Sequence, residues 1–123
     1  MKHLNILVVD DKKVIGDFFN LTMGYYGHRI TVVHDLAHTL QAIKQHQFDI
    51  AFMDMVMPGH DGVEVLKEVK AIAPQLPVVM MSGYSLDDKR QQALRLGAVE
   101  CLKKPFEVED IRRVVKEAIG EDI

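Results

Sequence analysis

Apolar positions in this chain follow two patterns that take turns. Five short runs, Asn5–Val9, Arg29–Val33, Asp49–Met53, Pro77–Met81 and Val99–Lys103, are mostly continuous rather than alternating. That predicts strands buried on both faces. Between the runs, apolar side chains recur at three- and four-residue spacing: Val14, Ile15, Phe18, Leu21 and Thr22; Leu36, Leu40 and Ile43; Val63, Val65, Leu66 and Val69; Leu86, Ala93 and Leu94; Val108, Ile111, Val114, Val115 and Ala118. This period predicts helices with one buried stripe. Gly24 and Gly27 are expected to close the first helix, with Asp35 and Ser85 as N-caps of the second and fourth. Pro74 and Pro77 bracket the start of the fourth strand, and Gly97 separates the fourth helix from the fifth strand. Strands alternating with helices imply right-handed crossovers and a parallel sheet covered on both faces. The expected fold is a five-stranded, doubly wound α/β domain. No repeat, low-complexity stretch or linker interrupts the pattern, so a single domain is expected over residues 1–123.

Composition agrees with that outline. The chain has 123 residues, 48% hydrophobic and 27% charged, as in soluble globular proteins. A chain of this size buries roughly two-thirds of its unfolded surface, so folding needs no disulfide or structural metal. The lone cysteine, Cys101, has no partner for an internal disulfide. No run approaches the ~20 apolar residues that span a bilayer. The first ten residues run straight into acidic ones with no small-residue cleavage site, so the cytoplasm is the expected location. A net charge of −3 argues against direct binding of nucleic acid or anionic lipid.

In a parallel sheet all strands end on one edge, where ligands of doubly wound folds bind. The residues just past each run are therefore informative. Asp10 and Asp11 come after the first, Asp54 after the third, Ser82 after the fourth and Lys104 after the fifth. The second strand ends without an obvious site residue, which suits a place at the sheet edge. Two carboxylates ~4 Å apart repel by about 4 kcal/mol at an effective dielectric of about 20, so this gathering calls for a cation or a shared proton. Oxygen ligands with no histidine or cysteine among them suit Mg2+, which takes one or two carboxylates and leaves room for phosphate oxygens. Lys104 and Ser82 add an ammonium and a hydroxyl suited to phosphate. A metal, a lysine and a hydroxyl around one carboxylate are the parts that stabilise a transferring phosphoryl group, with Asp54 as nucleophile.

The segments Ile6–Asp11, Asp49–Gly62, Pro77–Gly83, Gly97-Ala98 and Lys103–Phe106, in this order and spacing, closely resemble the receiver domains of two-component response regulators, particularly the single-domain chemotaxis and sporulation types. The resemblance covers essentially the whole chain. It implies a flavodoxin-like sheet of strand order 2-1-3-4-5 and a cis bond before Pro105. It implies that Asp54 is the phosphoacceptor, that Asp11 and Asp54 bind Mg2+ with Asp10 helping, that the Val56 carbonyl is a backbone ligand, and that Ser82 and Lys104 contact the phosphoryl group. The implied donor is a sensor histidine kinase or histidine phosphotransfer domain. The implied readout is a switching face on the fourth helix, fifth strand and fifth helix. Lys89, Arg90, Arg95, Glu100 and Arg112 lie on that face, which would meet a downstream partner, an output domain or a second copy of the chain. The family assists its own phosphorylation and dephosphorylation but is not an enzyme acting on other substrates.

Other readings carry less. Aspartate-nucleophile phosphatases place a second carboxylate two residues beyond the first, where this chain has Val56, with no proton to give. A phosphorylation-independent interaction module has no need of all five polar site residues. Cys101 stands three residues before Lys104, where the family usually has Tyr or Phe. That departure puts the usual aromatic switch in question; the cysteine itself is expected to be buried and inert, with Tyr84 the nearest aromatic. Met53, Met55, Met57, Met80 and Met81 are expected to pack in the core rather than bind a soft metal. His34 and His38 are four apart, but His34 is expected to precede the helix, which argues for surface histidines. Phe18 and Phe19 are assigned mainly to the core, and Lys12 and Lys13 to solvent.

Overall fold

The computed structural model describes residues 3–83 and 87–123. Strands β1 (Asn5–Val9), β2 (Arg29–Val33), β3 (Ile50–Asp54), β6 (Val78–Ser82) and β7 (Glu100–Lys103) form one sheet in the order β2-β1-β3-β6-β7. Every pairing is parallel. This is the expected doubly wound arrangement and strand order. The short β4 (Val56–Met57) and β5 (His60–Asp61) form a separate antiparallel hairpin that the apolar pattern does not announce. Helices α1 (Lys13–Tyr25), α2 (Leu36–Gln45), α3 (Gly62–Ile72), α4 (Asp87–Arg95) and α5 (Val108–Ile119) follow the strands.

The continuous apolar runs are explained by two cores, one on each face of the sheet. Leu7, Val9, Ala51, Met53, Val78 and Met80 pack beneath α2, α3 and α4 with Ala42, Val65, Leu66, Val69 and Ala93. Ile6, Val8, Ile50, Phe52, Val79 and Met81 face the other way, onto Phe19 and Met23 of α1 and Ile111, Val114 and Val115 of α5. The five methionines are all buried, as expected.

Helix α1 corrects the sequence reading. Its buried residues are Gly16, Phe19 and Met23, whereas Val14 is 67% and Leu21 76% exposed. The buried stripe is turned by about one residue, ~100° around the helix, because Gly16 lies on the buried face without an apolar side chain to mark it. A Cβ there would lie 3.0 Å from Val32 Cγ1, so the small residue lets the helix approach β2. Gly24 falls inside the helix, and Gly27, at φ 88°, turns the chain after it. Asp35 caps α2 as expected, accepting from the His38 amide. The Ser85 cap, Leu86 and Tyr84 lie outside the described residues.

Candidate functional site at the carboxyl edge of the sheet

Strands β1, β3, β6 and β7 end side by side, and the acidic, hydroxyl and ammonium residues gather at that rim. The register sets Asp54 against Met81 and Ser82 against Lys103. Asp10, Asp11 and Asp54 each bring a carboxylate oxygen within 4.8 Å of the others. Asp54 is the last residue of β3 and not the first beyond it, so sheet pairing holds its backbone.

Asp10 is fully buried. Its Oδ2 accepts from Lys104 Nζ at 2.7 Å and its Oδ1 from the Lys12 amide at 2.9 Å. Lys104 Nζ also stands 3.6 Å from Asp54 Oδ2, with only 15% of its side chain exposed. The Lys104 amide donates to the Ser82 carbonyl at 2.6 Å, and the Lys104–Pro105 bond is cis. Ser82 is buried. Asp54 Oδ1 accepts from the Val56 amide at 3.2 Å. Asp54 Oδ2 is buried and has no hydrogen-bond partner among the described residues. Burial pushes the Asp54 carboxyl above the usual range and Asp10 adds to the push, while the Val56 amide and Lys104 act against it. A buried anionic oxygen without a hydrogen bond is costly, and a cation in contact with it would offset that cost.

The hairpin holds the loop beyond Asp54. The Met55 amide donates to the Met81 carbonyl at 2.7 Å, and the Met55 carbonyl accepts from the Gly62 amide at 2.9 Å. A Cβ on Gly62 would collide with the Met55 carbonyl, so only glycine lets α3 start so close to this loop. Asp61 caps α3 through the Val63 amide and pairs with Lys89 of α4 at 2.6 Å. Hydrogen bonding to Lys89, more than any other interaction, lowers the Asp61 carboxyl below its ordinary range.

All the residues named from the sequence as site members, Asp10, Asp11, Asp54, Val56, Ser82 and Lys104, therefore lie at this one edge. The cluster consists of oxygen donors, and the orphaned Asp54 oxygen faces a local excess of negative charge. Both features fit a hard divalent cation such as Mg2+. One contributor escaped the sequence reading. His34, the first residue past β2, bonds the Asp10 carbonyl from Nδ1 at 2.8 Å. As expected, it precedes its helix, and His38 instead pairs with Asp35 at 2.7 Å. Cys101 is half-buried, and burial raises its thiol, in keeping with an inert side chain.

Comparison with known proteins places this architecture in a class. Residues 6–116 match the family model of the response regulator receiver domain, and the chain belongs to that family of two-component systems. It is 32% identical over 116 residues to sporulation initiation phosphotransferase F of Bacillus subtilis, covering 94% of either chain. It is 33% identical over 115 residues to the transcriptional regulatory protein FixJ of Bradyrhizobium diazoefficiens, and spans 94% of its own length but 56% of that protein. It spans only 27% of the transcriptional regulatory protein ZraR of Klebsiella oxytoca, at 30% identity. Among solved structures, the receiver domain of NtrX from Brucella abortus superposes with a TM-score of 0.88 at 32% identity, over 96% of this chain and all of that one. No helix among the described residues is long and apolar enough to cross a membrane.

Proposed function

We propose that this domain accepts a phosphoryl group on Asp54 from a phosphohistidine of a sensor kinase or phosphotransfer domain, with Mg2+ bound at the acidic rim, and that the modified domain switches a partner-binding face. The observation that carries the reading is the buried Oδ2 of Asp54, which has no hydrogen bond among the described residues and stands beside Asp10 and Lys104. Asp11, Asp54 and the Val56 carbonyl would hold the ion, with Asp10 at their side. When bound, Mg2+ offsets the carboxylate repulsion and the charge that builds on the phosphoryl oxygens.

An Asp54 oxygen attacks phosphorus, a P–O bond forms as the donor's P–N bond breaks, and the imidazole leaves with the electron pair. The product is an acyl phosphate. Lys104 is paired with Asp10 at 2.7 Å, and its position 3.6 Å from Asp54 lets it turn to a phosphoryl oxygen. Ser82, at the end of the adjacent strand, supplies a hydroxyl to a second oxygen. Ser82 ends β6 and Lys104 follows β7, so their movement pulls on the elements that carry α4 and α5. Going from 1:99 to 99:1 in favour of the active state takes about 5.5 kcal/mol of differential stabilisation, and a few charge-assisted hydrogen bonds of about 1.5–3 kcal/mol each reach that scale. The switched face, with Lys89, Arg90, Arg95, Glu100 and Arg112, would meet an output domain, a separate protein or a second copy of the chain. In this reading the domain promotes its own modification and its reversal and turns over no other substrate.

The test is incubation with acetyl phosphate, with and without Mg2+, followed by intact mass. One phosphoryl adduct is expected on the native chain with Mg2+, and none on Asp54→Ala. An undiminished adduct on Asp54→Ala defeats the reading, and multiple turnover of a simple phosphomonoester would favour a phosphatase instead.

A further inference from the structure

Asp10 is held at every polar atom, as a fully buried carboxylate residue must be. The Lys12 amide and the Lys104 ammonium take its two carboxylate oxygens. Its amide donates to the Val33 carbonyl at 3.1 Å. The remaining atom, its carbonyl oxygen, is taken by His34 at 2.8 Å. A carbonyl only accepts, so Nδ1 of His34 carries the hydrogen. Sheet register produces this contact: Val9 pairs with Val33 in the parallel β1–β2 ladder, which sets the next residues, Asp10 and His34, side by side. Edge strand β2 thus reaches the acidic rim through one imidazole.

That bond has leverage on a neighbour. The Asp10 carbonyl belongs to the planar peptide that joins Asp10 to Asp11, so fixing the oxygen fixes the amide and Cα of Asp11, the backbone point from which its side chain starts. Asp11 is the loosest of the three carboxylates. Its side chain is 29% exposed and meets Lys12 Nζ only at 3.7 Å, whereas Asp10 and Asp54 are buried.

We propose that His34 is a positioning residue for cation binding: by donating from Nδ1 to the Asp10 carbonyl it fixes the Asp10–Asp11 peptide and with it the backbone position from which the Asp11 carboxylate reaches the rim. The inference rests on the reading of this rim as a Mg2+ site and adds to it a residue that touches neither ion nor phosphoryl group. Partners that orient ligands in this way commonly account for about 10- to 100-fold in metal affinity. His34 grips the peptide beside the ligand and not the ligand itself, so a value near the lower end is expected.

The test uses His34→Ala and His34→Asn, whose amide nitrogen sits close to the place of Nδ1. Mg2+ binding is titrated by calorimetry on the metal-free protein, and acetyl phosphate labelling is followed against Mg2+ concentration. His34→Ala is expected to weaken Mg2+ binding about tenfold while the labelling rate at saturating Mg2+ stays within about twofold of native. His34→Asn is expected to recover most of the affinity. A purely structural role would lower both affinity and saturated rate, and the asparagine would not separate them. Unchanged affinity in His34→Ala, equal weakening in both variants, or a fall in the saturated rate alone overturns the proposal. If the native chain binds Mg2+ and labels while His34→Ala matches it, only this inference is lost. If the native chain does neither, the function proposed above falls with it.

Discussion

Among the described residues, each end of the same sheet hides one side-chain polar atom without a hydrogen-bond partner, Asp54 Oδ2 at the carboxyl edge and His28 Nε2 at the amino edge. Their surroundings differ. At the amino edge the polar groups are settled in local pairs: His28 Nδ1 accepts from the Leu4 amide at 3.0 Å, and the Asp49 carboxylate accepts from the Asn5 amide at 2.8 Å. His28 is a neutral ring in an apolar seat, and burial, helped by His3, lowers its pKa from 6.5. At the carboxyl edge three carboxylates crowd within 4.8 Å, and two of them, Asp10 and Asp54, share the largely buried Lys104. An orphan N–H on a neutral ring is a modest cost the fold can carry; an anionic oxygen without a hydrogen bond on a crowded carboxylate costs more, and a cation or a proton would offset that cost.

The comparison predicts large effects of opposite sign within the carboxyl edge and a smaller, pH-dependent effect at the amino edge. The largest effect belongs to Lys104→Met, which leaves the buried Asp10 carboxylate without its cation and should cost about 3–5 kcal/mol of stability. Urea denaturation measures it, and Asp10→Asn added to Lys104→Met should recover most of the loss. Equal stability of Lys104→Met and native protein would break the comparison at its first step.

Asp54→Asn should go the other way. The Asp54 carboxyl is raised in the fold by burial, so its contribution is favourable below the ordinary pKa of 3.8 and is lost as pH rises through the folded value. At neutral pH the charge is a burden. Replacing it by a neutral amide that still accepts from Val56 should add about 1–3 kcal/mol to the metal-free protein, several degrees in melting temperature. Mg2+ should raise the melting temperature of the native protein more than that of the variant.

At the amino edge the effect is smaller and depends on pH. The folded pKa of His28 lies below 6.5, so its favourable contribution is present above that pH and is lost as pH falls from 6.5 towards the folded value. The unfolded chain takes up the proton first. The slope is at most about 1.4 kcal/mol per pH unit for one proton. Melting curves between about pH 7.5 and 5 should show this loss in the native chain, and a flatter profile in His28→Gln.

Much of this architecture is legible in the sequence. The strands can be read because burial on both faces leaves continuous apolar runs, and the rim residues because a parallel sheet delivers every strand end to one edge. Three features stay hidden, each for a physical reason. The stripe of α1 is misplaced by the apolar pattern because Gly16, buried against Val32 of β2, has no side chain to signal burial. The β4–β5 hairpin is invisible because two-residue strands are defined by backbone pairing, Val56 with Asp61 and Met57 with His60, and carry no apolar period. His34 is exposed, as its reading as a surface histidine expects; what stays hidden is its bond to the Asp10 main-chain carbonyl, which no residue type in the sequence advertises. Its contact depends on the β1–β2 register, which only the fold supplies.

The central claim is that the orphaned oxygen at the carboxyl edge is the nucleophile. The direct measurement treats the native chain with acetyl phosphate and Mg2+, reduces the product with borohydride, which converts an aspartyl phosphate to homoserine, and maps the change by peptide mass spectrometry. Homoserine at position 54, dependent on Mg2+, is the expected result. Modification confined to any other aspartate, or a reactive domain in which position 54 stays unaltered, would contradict the account.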